Sequence, residues 1–203
     1  FISYMLHYEK DNIIGGILRG KAQKIMGPVS PQDESNDIFY EYDKYKKEDN
    51  RNSKNEEINL LKDDFKSKMN LLGYDLKTNE FNNDIYKHKK TNEWLDFTLL
   101  CDGSGGKLKN QQICEEIQRI LKNYGINIKL ILPSTQRNFR TFRYQQKFDL
   151  LYSIENISVT EGLNAYYGYS DGKYSSKNYG HYKSTKELQS KLTRSQDFAH
   201  NAT

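Results

Sequence analysis

Between residues 95 and 151 the apolar positions change period twice. Leu95, Phe97, Leu99 and Leu100 form a short apolar run that stops at Gly103-Ser104-Gly105-Gly106. Ile113, Ile117, Ile120, Leu121 and Tyr124 then recur at the three-to-four spacing of one helical face, and Gly125 stands where a left-handed C-cap belongs. After it, Ile126, Ile128, Leu130 and Leu132 alternate with Asn127 and Lys129, the period of a strand with one buried face. A basic, aromatic connection leads to a further apolar run at 148–152. The pattern predicts a strand–helix–strand unit extended by a third strand, all three in one sheet with the 113–124 helix packed on it. An α/β sheet of this kind presents its ligand-facing loops at the carboxyl ends of its strands.

The flanks are less regular. Residues 1–8 read as the end of a helix, and Asp11 is placed to cap a second, short one with Ile13, Ile14, Ile17 and Leu18 on one face, closed by Gly20 and followed by a Gly27-Pro28 turn and Pro31. Residues 32–55 hold almost no aliphatic side chains and mix acids with bases, which predicts a solvated insertion. Order resumes at Ser53, which with Glu56 has the sequence of a capping box ahead of Ile58, Leu61, Phe65, Met69 and Leu72, with Gly73 as the stop. Residues 75–92 read as a polar loop with room for a hairpin, and Asp75-Leu76-Lys77-Thr78-Asn79 as a turn. Residues 162–182, rich in Tyr, Gly and Ser, suit a surface loop, and Ser184 with Glu187 opens a last helix carrying Leu188 and Leu192. No internal repeat is visible.

A chain of 203 residues is one ordinary domain, or one lobe of something larger, and can bury a core without structural metals. It is polar, with 35% hydrophobic residues and a mean hydropathy of -0.93, so the 16 tyrosines must supply much of its apolar contact. The net charge of +4 comes from 31 basic and 27 acidic residues that are well mixed, which argues against a dedicated nucleic-acid surface. No apolar stretch is long enough to span a membrane, and Phe1-Ile2-Ser3-Tyr4-Met5-Leu6 is too short and uncharged for a secretory signal. With no initiator Met, the chain is expected to be part of a longer protein, any export signal or lipid anchor lying in the missing part. Cys101 ends a strand and Cys114 lies early in the next helix; a disulfide and a pair of small buried thiols both fit that spacing.

Several catalytic chemistries are excluded by spacing. Gly103 to Lys107 invites a phosphate-loop reading, but a Walker loop needs Gly and Ser or Thr where this chain has Cys101 and Leu108, so a plain strand-to-helix turn is predicted. His7, His88, His181 and His200 are scattered and show no metal-ligand spacing. There is no nucleophile elbow and no cysteine with a nearby base. Arg137, Arg140 and Arg143 alternate with Phe139, Phe142 and Tyr144, which predicts a connecting helix with its aromatics on the sheet and its arginines in water. If Arg143 faces a cleft, its planar fork could clamp a carboxylate.

Taken in order, the segments resemble the second lobe of the extracytoplasmic solute-binding proteins of family 5, which serve peptide and nickel ABC transporters. "SYMLHYEKDNIIGGILRGKAQKIMGPVSP" is similar to that family's opening helices and Gly-Pro-x-x-Pro exit. "FTLLCDGSGGKLKNQQICEEIQRILKNYGINIKL" is similar to its strand, loop, helix and strand, "FDLLYS" to the strand that follows, and "NYGHYKSTKELQSKL" to its Asn-x-x-x-Tyr-x-Ser helix entry. The likeness runs over nearly the whole chain, with the 32–55 insertion as the main departure.

The resemblance implies an α/β fold, one lobe of a periplasmic-binding-protein-like (type II) architecture with a central mixed sheet flanked by helices, covering 1–203. It implies a non-enzymatic, bacterial, extracytoplasmic binding protein, lipid-anchored through a missing N-terminal segment, that passes ligand to a membrane ABC permease and closes on it against a missing first lobe. Short peptides are the expected ligand; no cofactor, metal or nucleic-acid partner is expected. The expected cleft residues are Asp102, Gly103, Ser104, Ser153, Glu155, Asn156 and Ser158, with Arg143 as a carboxylate partner. The aromatic and acidic pair that the family carries after the "FD" strand is not reproduced, since those positions hold Glu155 and Ser158, so the resemblance leaves Glu155 or Glu161 to meet a peptide's ammonium. Two other functions fit the same sequence: a surface interaction, adhesin or receptor module using the tyrosine-rich loop, and a nickel or small-cofactor binder on the same fold.

Overall fold

A computed structural model describes residues 1–22, 53–103, 107–154, 169–170 and 173–174. The chain divides into two units. The first holds helix α1 (Ile2–Asn12), a π-helical turn (Ile13–Ile17), α2 (Ser53–Leu71), strands β1 (Tyr74–Thr78), β2 (Asp84–His88) and β3 (Asp96–Cys101), α3 (Leu108–Lys122), β4 (Asn127–Ile131), most of α4 (Gln136–Tyr144), and β5 (Leu150–Tyr152). The second unit holds residues 143–146 and 154 and a two-residue hairpin, β6 (Tyr169–Ser170) with β7 (Lys173–Tyr174).

The first unit is built on a three-stranded sheet in the order β4-β3-β5, with β3 parallel to both neighbours. All three apolar runs read from the sequence are therefore in one sheet, and α3 packs on it through Ile120 and Leu121, joined by Tyr124 just past its end. The three strands of this sheet are parallel throughout; among the described residues the antiparallel pairs are the β1–β2 and β6–β7 hairpins. Leu99 and Cys101 of β3 enter one core with Met5 and Tyr8 of α1, Leu61, Phe65 and Met69 of α2, and Ile126 and Ile128. Leu100, on the opposite face of β3, is also fully buried. Burial on both faces is what a central parallel strand requires, and it explains the unbroken Leu99-Leu100-Cys101 run.

Gly125 closes α3 with φ +77°. Its N–H donates to the Lys122 carbonyl at 2.9 Å and the Ile126 N–H to the Leu121 carbonyl at 3.1 Å, a Schellman pair that satisfies two otherwise orphaned carbonyls. Gly73 ends α2 in the same left-handed region, with φ +86°.

Four local expectations are corrected. Asp11 is not an N-cap: it lies inside α1, because nothing between Tyr8 and Ile13 breaks the backbone ladder, and the helix runs directly into the π turn at Gly15-Gly16. Leu72 is 66% exposed although its spacing continues the face of Leu61, Phe65 and Met69: it lies one residue past α2, at the very end of the helix. Residues 75–78 are strand β1, not a turn. In α4 Phe139 is buried and Arg137 and Arg140 are exposed as expected, but Tyr144 is 84% exposed. The Ser53 side chain and the expected 184–192 helix lie outside the described residues.

Candidate functional site

In chain order β3, β4 and β5 come first, second and third, so their spatial order reads second, first, third. In open parallel sheets of that order the ligand crevice opens outside the carboxyl ends of the first and third strands. Here that junction is formed by Cys101 paired with Tyr152, and by the Asp102 N–H reaching the Tyr152 carbonyl at 3.3 Å. Asp102, Gly103 and Ser153 are thereby brought to one edge.

Asp102 is 4% exposed. Its carboxylate accepts from Lys107 Nζ at 2.6 Å, and its carbonyl accepts from Asn110 Nδ2 at 2.7 Å; Asn110 is itself buried. A buried carboxylate needs such a partner, because its desolvation is otherwise uncompensated. Cys101 and Cys114 form a disulfide with their Cα atoms 6.4 Å apart, tying the residue before Asp102 to the second turn of α3. Asp102 is therefore tied to the start of α3 twice, through the disulfide of its neighbour Cys101 and through its own ion pair with Lys107. The Tyr152 hydroxyl is pushed up in pKa by its burial and, secondarily, by the Asp102 charge. Lys107 keeps nearly half of its side chain exposed, so its ammonium faces both the buried carboxylate and solvent.

The entry to β5 is fixed by a second arrangement. Asp149 Oδ2 accepts from both the backbone N–H and the hydroxyl of Thr98, each at 2.7 Å, while the Asp149 N–H donates to the Thr98 carbonyl at 3.1 Å. The aspartate of the "FD" pair thus sets the register of β5 on β3, and so sets which residues reach the carboxyl edge.

Of the residues expected from sequence, Asp102, Gly103 and Ser153 are brought together. Arg143 falls in the second unit, half-buried, at the end of α4. Ser104, Glu155, Asn156, Ser158 and Glu161 lie outside the described residues. Sequence reasoning missed Lys107 and Asn110; the signal was available, as an acid and a base flanking a glycine turn. Among the described residues no group of three His, Cys, Asp or Glu side chains is placed to hold a metal ion, and no helix is long and apolar enough to cross a membrane. Two larger grooves of the first unit, about 590 and 420 Å³, are lined by other residues than these.

No protein-family model matches the chain, and no curated protein matches it. Solved structures do. The oligopeptide-binding protein AppA from Bacillus subtilis, in complex with a nonapeptide, is 16% identical with a TM-score of 0.54 over 98% of this chain and 39% of its own. NikA from Brucella suis, in complex with Fe(III)-EDTA, is 13% identical with a TM-score of 0.55 over 98% and 40%. NikZ from Campylobacter jejuni, in complex with Ni(L-His), is 16% identical with a TM-score of 0.52 over 98% and 38%. The likeness is one of fold: this chain has the α/β architecture of a periplasmic-binding-protein-like lobe and spans about two-fifths of each of these proteins.

Proposed function

We propose that the chain is the second lobe of a two-lobe, extracytoplasmic solute-binding protein that captures short peptides, without chemical turnover, for an ABC permease. The observation that carries this reading is the β3–β5 junction, where Asp102, Gly103 and Ser153 meet at the carboxyl edge of a second-first-third parallel sheet. A fold shared over 98% of this chain with only about two-fifths of three ligand-binding proteins fits one jaw of a clamp whose other jaw lies elsewhere in the protein. Peptide suits the edge chemically, because the half-exposed Lys107 ammonium offers donors to a carboxylate. Ser104, Arg143, Glu155, Asn156, Ser158 and Glu161 stay in the proposed ligand set on their sequence positions alone.

A second reading, a binder of metal chelates, is favoured by the Fe(III)-EDTA and Ni(L-His) held by two of the neighbours. Native mass spectrometry and metal analysis of the full-length protein, purified without refolding, separate the two. A ladder of bound peptide masses supports the first; stoichiometric nickel without peptide supports the second. Failure of a mixed tripeptide pool to give saturable heat with the intact protein would overturn the peptide reading. The 203-residue chain alone should give no such heat, because one jaw cannot bury the ligand.

A further inference from the structure

We propose that β1 is a docking edge for a second copy of this chain, pairing antiparallel with its own mate about a two-fold axis through Leu76. The proposal is independent of the ligand reading. In the β1–β2 hairpin, the Lys89 N–H donates to the Gly73 carbonyl and the Asn79 N–H to the Asn83 carbonyl, each at 2.8 Å. Those bonds place the odd-numbered residues of β1 toward β2, so the N–H and C=O groups of Tyr74, Leu76 and Thr78 point to the outer edge. The far side of β2 is occupied: the Tyr86 N–H reaches the Gly125 carbonyl at 2.9 Å and the Tyr86 carbonyl accepts from Leu95 at 2.8 Å. No described residue pairs with the outer edge of β1.

An unpaired strand edge is a template for another strand unless its side chains forbid it. Lys77, exposed at this edge, is the residue type that usually does so. A two-fold at Leu76 reverses that effect. It sets Leu76 against Leu76 of the second copy, Tyr74 against Thr78, and Asp75 against Lys77, so both charge pairs are of opposite sign. Leu76, at the centre of this edge, is 45% exposed, an apolar side chain set against its own mate by the pairing. With three residues per copy exchanging backbone bonds, the contact is smaller than a standard interface and belongs to the weak, transient class.

Sedimentation of the full-length protein over a wide concentration range tests this with charge swaps. Lys77→Glu alone places two like-charged pairs across the axis, as does Asp75→Lys alone, and each should weaken self-association about tenfold or more. An equimolar mixture of the two variants has only opposite-charge pairs and should recover wild-type association. Leu76→Pro should abolish it while leaving the hairpin intact, since the N–H it removes faces outward; circular dichroism and thermal unfolding check that each variant is folded. A wild-type protein that stays monomeric to millimolar concentration overturns the proposal, as does a dimer that neither swap weakens or that the mixture fails to restore.

Discussion

Asp149 and Thr98, fifty-one residues apart, are locked together by the aspartate carboxylate, which takes both the amide and the hydroxyl proton of the threonine at 2.7 Å. β5 is only three residues long and pairs with β3 over those three. So short a strand has little register information of its own, and the side-chain latch supplies it.

Asp149→Ala should therefore cost about 1–3 kcal/mol in denaturant unfolding, the scale for losing hydrogen bonds to a charged group. Asp149→Asn, which can keep one acceptor, should cost less. Equal stability of Asp149→Ala and wild type would show that β5 is held by its ladder alone.

Gly125 and Gly16 make a contrasting pair. A Cβ on Gly125 would come within 2.7 Å of Leu76 Cδ1 and 2.8 Å of Tyr86 Cδ2, at a φ of +77°. Gly125→Ala should destabilise by about 2–4 kcal/mol, combining left-handed backbone strain with overpacking. Around Gly16 a Cβ meets nothing within 4 Å, so Gly16→Ala should be neutral or stabilise by about 0.5–1 kcal/mol. Thermal unfolding of the two variants reads both signs.

That contrast shows what was legible in the sequence. Gly125 and Gly73 carry their meaning locally, because the left-handed position is a property of one residue, and the sheet was legible because Leu99, Ile128 and their neighbours repeat at the strand period over a buried face. β1 was not, because its Asp75, Leu76, Lys77 and Thr78 bury little and carry no periodic signal. Asp11 misled because a good capping residue is also tolerated inside a helix when the ladder continues. At the candidate site, Asp102 and Gly103 follow from strand-end position, but the Lys107 ion pair and the Asn110 bond depend on where the start of α3 sits against the end of β3. The disulfide was open for the same reason, since a separation of thirteen does not specify a distance.

The Tyr124 hydroxyl is buried and no described residue meets it with a hydrogen bond. Burial, then the charges of Glu9 and Tyr8, push its pKa up to about 12 from 10.0. The folded state thus holds a proton that the unfolded state releases above pH 10, so the stabilisation is whole below pH 10 and is lost as pH rises toward 12, by about 2 kcal/mol. Tyr86 and Tyr152, also raised by burial, act in the same direction. Tyr124→Phe should flatten the alkaline loss and leave neutral-pH stability unchanged or improved, because it deletes an unpaired buried hydroxyl. An unchanged alkaline profile in Tyr124→Phe would move the effect to the other two tyrosines.

Replacing both Cys101 and Cys114 with Ala should lower stability by about 3 kcal/mol, the loop-closure scale for this separation, less any compensation in the unfolded chain. Because both sulfurs are fully buried, mild reductant should not reproduce the loss until the protein is brought near its unfolding transition. Denaturation curves with and without reductant distinguish a buried structural bond from an accessible one.

Lys107 gives the sharpest test of the carboxyl edge. Lys107→Ala leaves the Asp102 carboxylate buried beside Tyr152 without its 2.6 Å partner, which should cost about 1–2 kcal/mol of stability, discounted because the lysine itself is partly solvated. Asp102→Asn removes the buried charge altogether and should cost less. If the lysine also receives a peptide carboxylate, amidating the peptide's C-terminus should weaken binding to the intact wild-type protein by roughly 1.5–3 kcal/mol and have little further effect in Lys107→Ala. Lys107→Arg should retain both the ion pair and most of the binding. An amidation penalty of the same size in Lys107→Ala as in wild type would assign the carboxylate to another residue, with Arg143 next to be tested, and would leave Lys107 as the counter-ion that keeps Asp102 in place.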